Sequence, residues 1–197
     1  MYQCHKSEAK SVFIIAIIIV VLCSLSAYFI SDFASKTQIK LLAENQNINT
    51  YNVLFKVNNI TSLFVPIIIC SYISMTTHIL LTDFFDIRIN MSDTFCVVGI
   101  AMIPILLDDY FLWFNLITYT SNINISSYKE FMDIEYFAGL KIQDFQAINT
   151  YCWIGVYLII FASLVLHKIS FFKAIISTIL PSGVLILSYK CISFLVG

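Results

Sequence analysis

Apolar positions in this chain do not alternate, and for the most part they do not recur at the spacing of an amphipathic helix; they run. A hydrocarbon core about 30 Å thick takes roughly 20 apolar residues per helix. Five stretches meet that length: residues 11–30, "SVFIIAIIIVVLCSLSAYFI"; residues 61–82, "TSLFVPIIICSYISMTTHILLT"; residues 94–119; residues 151–167, "YCWIGVYLIIFASLVLH"; and residues 172–196. The pattern predicts an all-α polytopic membrane protein, in which a tail of residues 1–10 precedes a single five-helix transmembrane domain over residues 11–197. Five crossings put the two ends on opposite sides of the membrane.

The two long connections predict short amphipathic helices outside the membrane. In "SSYKEFMDIEYFAGL", Ser127 and Glu130 have the spacing of a capping box, and Gly139 can supply a left-handed stop. Residues 128–138 are therefore expected to be helical, with Tyr128, Phe131, Ile134 and Phe137 on the apolar side. "KTQIKLLAENQNINTYNVLFK" reads as a weaker amphipathic helix followed by an Asn-rich turn.

Composition agrees with lipid as the solvent. Hydrophobic residues make up 59% of the 197 and charged residues 12%, and the mean hydropathy is +0.88, which is more apolar than a soluble domain of this size can hide. A net charge of −1 with no Lys/Arg cluster argues against nucleic acid as a partner. The six cysteines contain no CxxC pair, and Cys23, Cys70, Cys96 and Cys191 fall in apolar runs, where a thiol behaves as a small hydrophobe. The abundance of Asn, Ile, Lys, Phe and Tyr is that of an AT-rich bacterial genome, in which the sequons at Asn59, Asn90 and Asn124 are accidental.

The first run reads as an uncleaved anchor rather than a secretory signal. It continues past Ser24 and Ser26 to Ile30, and "VVLC" lacks the small residue expected before a lipoprotein cysteine. Lys6, Lys10, Arg88, Lys168 and Lys173 lie on one side, in a short tail and two short connections; Lys36, Lys40, Lys56, Lys129 and Lys141 are diluted over long loops on the other. The denser side is expected to be cytoplasmic, which gives a bacterial inner-membrane protein with its N-terminus inside.

Polar and helix-breaking residues within the runs carry the candidate chemistry. Pro66, Pro104 and Pro181 each remove a backbone hydrogen bond that lipid cannot replace, so they predict kinks and helices packed on helices. "AMIPILLDDYFLWF" (residues 101–114) sets Asp108 and Asp109 inside a span that would be too short without them. Spacing by threes and fours groups Asp108 with Asn115 and Thr118 on one stripe, which should face protein. Asp108 lies about 21 Å up its helix and Lys190 about 25 Å up the fifth, so Asp108 or Asp109 with Lys190 is an expected intramembrane pair. Ser71, Ser74, His78 and Thr82 form a separate polar stripe on the second span; His78, Asp83 and Asp86 on one helix end cannot converge on a metal.

No catalytic motif is present: there is no GxSG, no HExxH and no paired Glu run with distant histidines. The chain is read as non-enzymatic, without a cofactor. A third span carrying "IPILL", Trp153 near the start of the fourth, and the step "ISFFKA" (residues 169–174) into the fifth, within "INTYCWIGVYLIIFASLVLHKISFFKAIISTILPSGVLIL", resemble the Yip1 domain family of five-span membrane proteins. The long cytosolic region with an acidic-Tyr-Gly-Pro motif, through which the eukaryotic branch engages Rab GTPases, has no counterpart in the ten residues before the first span. The resemblance therefore implies a bacterial relative acting as an interaction or scaffold partner of an export complex such as an ABC exporter. Small residues at Gly99, Ala101, Gly155, Ala162 and Gly183 would permit close helix contacts with membrane partners. The other reading is a small transporter or channel subunit using the polar groups of the third and fifth spans.

Overall fold

No glycine or proline occurs before Pro66, so no intrinsic backbone break interrupts the first sixty-five residues. The computed structural model describes residues 2–42, 48–120 and 134–196, and among them every regular element is helical. Helix α1 spans Tyr2–Leu42, and α2 spans Ile48–Ile79 and runs on into a π-helical turn at Leu80–Phe84. They are followed by α3 (Met91–Ala101), α4 (Ile103–Thr120), a 3₁₀ turn at Phe137–Gly139, α5 (Ile142–Leu166) and α6 (Phe171–Val196).

Four stretches are long and apolar enough to cross a membrane: Lys10–Thr37, Asn52–Phe84, Met91–Thr118 and Ala147–Leu166. Helix α6 stands where a fifth span is expected, with Phe171–Pro181 as its described apolar portion. Large apolar side chains face outward along these helices, among them Ile14, Ile18, Ile68, Leu107, Phe114 and Leu158. Water would not tolerate such faces, and a helical multi-pass membrane protein is what they fit.

Three expectations change. The first two spans are not separated by a thirty-residue loop: α1 is 41 residues, about 60 Å, or twice the hydrocarbon thickness, and α2 starts at Ile48. Over residues 31–42 and 48–60 the sequence turns polar while the backbone stays helical. The third span is not one helix kinked at Pro104; it breaks at Met102 (φ −73°, ψ −6°), and Pro104 falls in the first turn of α4, where a missing N–H removes no intrahelical bond. Pro66 and Pro181, by contrast, lie inside continuous helices. Of the helix expected at 128–138, residues 128–133 and the Ser127 cap lie outside the described residues. Ile134–Tyr136 is irregular and only Phe137–Gly139 turns, ending on Gly139 at φ +73°, the left-handed stop its sequence position suggested.

The chain forms two compact units. One comprises residues 1–19, 68–102 and 154–197. Here α1 and α3 meet closely: a Cβ on Gly99 would lie 2.8 Å from the Ala16 Cβ, and both residues are buried. Ala101 is also fully buried, whereas Ala162 is exposed and a Cβ on Gly183 would meet nothing within 4 Å, so the small residues do not form one common seam. Lys173, in the "ISFFKA" step, donates to the Phe85 carbonyl at 3.2 Å and lies 5.4 Å from the Phe85 ring centroid. It thereby anchors the chain just past the π-helical turn.

The other unit comprises residues 20–67 and 103–153. Buried Leu116, Tyr136 and Phe145 form its aromatic-rich centre, with Phe111, Ile134 and Ile148 packed against them. Asn115 ties the irregular segment to α4: its Nδ2 donates to the Phe111 carbonyl at 2.7 Å, and its Oδ1 accepts the Phe137 N–H at 3.2 Å. Burial pushes the Tyr136 phenol up to about 12.

Candidate functional site

The sequence-predicted polar residues separate into three local arrangements. The first belongs to proline chemistry. Pro181 has no N–H, so the Ser177 carbonyl four residues earlier loses its helical donor; Thr77 Oγ1 of α2 donates to that carbonyl at 3.2 Å, and both residues are buried. The expected stripe of Ser71, Ser74, His78 and Thr82 is not what binds the helices together. Ser71 is exposed, Ser74 and Thr82 donate back to the Cys70 and His78 carbonyls of their own helix at 2.7 and 2.9 Å, and His78 Nδ1 is buried with no hydrogen-bond partner among the described residues. Thr77, outside that stripe, carries the interhelical bond. Its signal was present in the sequence, since a mid-helix proline implies one free carbonyl, but the donor's identity depends on helix register.

The second arrangement is a clasp between α1 and α2 that sequence reading missed. Asn59 Oδ1 accepts from Ser31 Oγ at 2.8 Å and Ser35 Oγ at 2.9 Å, while its Nδ2 donates to Asp32 Oδ1 at 3.2 Å. Asn58 Nδ2 adds a bond to Ser31 Oγ at 3.0 Å, and Lys36 pairs with Asp32 one turn away. The sequon asparagine is thus 7% exposed, with Oδ1 accepting twice and Nδ2 donating inward, which is incompatible with carrying a glycan in the folded chain.

The third is the aspartate pair. Asp108 is 6% exposed; its Oδ2 accepts from Asn149 Nδ2 of α5 at 2.9 Å, and its Oδ1 is buried with no hydrogen-bond partner among the described residues. Asp109 Oδ2 accepts from Ser26 Oγ of α1 at 2.9 Å. That hydroxyl has a second acceptor at the same distance, the Cys23 carbonyl, and a single O–H serves one fully at a time. The Cys152 thiol lies within electrostatic reach of both carboxyls. Burial of Asp108 and Asn115 follows the stripe drawn from their spacing, while Thr118 is exposed and bonds back to the Phe114 carbonyl at 2.8 Å. Among the described residues no Lys, Arg or His is ion-paired with either aspartate. Lys190 lies on α6 with its side chain outside the described residues.

Chemically, the three differ in what they leave open. The first pairs a hydroxyl with a freed carbonyl but leaves His78 Nδ1 without a described partner, the second brings donors and acceptors together locally, and the third sets two acceptor-only groups among neutral donors in a membrane-spanning helix. Compared with protein-family models, curated proteins and solved structures, the chain matches none.

Proposed function

We propose that the chain is a non-catalytic integral membrane protein that serves as a binding partner of other membrane subunits, in the manner the Yip1 resemblance implies. On this reading it is an accessory of an export complex such as an ABC exporter, held in a bacterial inner membrane with its N-terminus cytoplasmic. The observation that carries it is a mismatch of polarity along the α1–α2 pair. Helix α1 turns polar at Asp32 and Lys36, and the clasp sets Asn59 of α2 at that level. Beyond Asn59, α2 continues outward with Val53, Leu54 and Val57 exposed at 62, 58 and 57%. Val53 stands about 9 Å further along the axis than Asn59, past the depth at which α1 already presents charge. An apolar face at that level is better covered by a neighbouring helix than by lipid headgroups.

Site-specific photo-cross-linking tests it. A cross-linker at Leu54 should capture a membrane protein of fixed mass at native expression, one at Ile15 should capture lipid, and Leu54→Asp should abolish co-purification while thermal unfolding in detergent is unchanged. Only lipid adducts at Leu54, with the chain recovered alone from several mild detergents, would rule the reading out.

The transporter or channel-subunit reading draws on a different observation, the Asp108 oxygen that has no partner among the described residues. It requires solute or proton flux that disappears when the protein is deleted.

A further inference from the structure

Asp108 and Asp109 are consecutive acceptor-only groups in a largely apolar span, and their described hydrogen-bond donors, Asn149 and Ser26, are neutral. Carboxyls ionised among neutral dipoles in a low-dielectric setting require a positive counterpart, a bound cation or a proton. Among the described residues, the polar and titratable groups placed against the pair are Ser26 from α1, Asn149 and the Cys152 thiol from α5, and the neighbouring carboxyl on α4 itself. None of these is cationic. Among the described residues Asp108 Oδ1 has no donor, on a residue more than nine-tenths buried. We propose that Asp108 Oδ1 is the binding point of one small monovalent cation, a proton or an alkali-metal ion, with Asn149 holding the other oxygen in place and Asp109 supplying the negative field that favours occupancy. The inference stands apart from the partner-binding role, and either can fail without the other.

A proton and a sodium ion share this chemistry, and a hydrophobic carbodiimide separates them. Dicyclohexylcarbodiimide reacts with a protonated carboxyl: the acid O–H adds across one C=N bond, the proton goes to nitrogen, and the O-acylisourea rearranges to a stable N-acylurea that peptide mass spectrometry can locate. The full-length chain, reconstituted in phosphatidylethanolamine–phosphatidylglycerol vesicles, should be labelled at Asp108. The rate should fall about tenfold per pH unit on the alkaline limb, as occupancy by a single proton requires. Asp108→Asn should remove that label. Replacing choline chloride by sodium chloride at fixed pH decides the ligand: several-fold protection assigns an alkali-metal ion, and no protection assigns the proton. If Asp108→Asn does not fold, wild-type labelling and its competition by sodium still decide the question. The proposal is overturned if Asp108 stays unlabelled across pH 5 to 8 in both salts. It is equally overturned if labelling appears only after Lys190→Met, because the counter-charge would then be the α6 lysine.

Discussion

Asn59 and the Asp108–Asp109 pair are both polar groups carried by apolar helices within one compact unit, and they meet burial in opposite ways. The amide of Asn59 accepts two hydroxyls and donates to a carboxylate, and that carboxylate has Lys36 beside it, so the clasp closes on itself with its charge balanced. An aspartate can only accept. The pair accepts from one serine hydroxyl and one carboxamide, and among the described residues Asp108 Oδ1 has no donor and its charge no cation. A closed network is a fastener, and an incomplete one retains the capacity to bind something.

The strongest test of this contrast is to open the fastener. Asn59→Leu removes three hydrogen bonds at once and takes away the acceptor of Ser35 Oγ and the amide donor of Asp32 Oδ1. The expected loss is about 3 kcal/mol, counting roughly 1 kcal/mol per bond inside a membrane protein, and thermal unfolding in mild detergent would read it. A loss below about 1 kcal/mol would mean the clasp is incidental and the helices are held by packing alone.

That clasp also shows where sequence reading reaches its limit. Residues 31–60 are polar enough to resemble a long connection with one weak helix in it, yet "SDFASKTQIKLL" and "INTYNVLFKVNNI" hold no glycine or proline to stop a helix. The helical class, the apolar runs and the burial of Asp108 and Asn115 were legible because hydrocarbon length and 3–4 spacing are local properties. The partners Ser26 and Asn149 were not. A serine in an apolar run ordinarily bonds to its own helix, as Ser24 does to the Val20 carbonyl, and only the register between helices decides that Ser26 also reaches a carboxylate. The break at Met102 follows from Pro104, but a proline is equally compatible with a kink, so its sequence could give the position of the discontinuity without its form.

Packing without polar bonds provides the next comparison. Gly99→Val would drive a side chain into Ala16, whose Cβ already lies 2.8 Å from the place a Cβ would occupy. The expected cost is about 2 kcal/mol of overpacking, and Ala16→Gly in the same chain should recover part of it. Recovery by Ala16→Gly in the unfolding midpoint would show that the seam is steric. An equal loss in the double variant would point instead to a backbone requirement at residue 99.

The Thr77–Ser177 bond lies between fastener and open site, since it serves a carbonyl that only Pro181 has freed. Thr77→Val keeps the shape and deletes the donor, at an expected cost of about 1 kcal/mol. In a Pro181→Ala background residue 181 regains an N–H for that carbonyl, so Thr77→Val should there cost nearly nothing. A double-mutant cycle in detergent unfolding measures the coupling directly, and additive effects would sever the link between the proline and the threonine.

The smallest effect is expected where the chemistry is most unusual. Asp109→Asn keeps a carbonyl oxygen to accept from Ser26 and removes one of two adjacent negative charges, so the hydrogen bond survives while the unbalanced charge is halved. The change in stability should stay within about 0.5 kcal/mol, because losing a charge-assisted bond and relieving an uncompensated charge act in opposite directions. Carbodiimide labelling at Asp108 should persist in this variant, since the open oxygen belongs to Asp108. A loss of more than about 2 kcal/mol would instead mean that Asp109 is held by a buried cation, and that the two polar centres do not differ in kind. The first group to examine would then be Lys190, through the cycle of Lys190→Met, Asp109→Asn and the double variant. In a true pair each single change strands a charge, and the double change is milder than Lys190→Met alone.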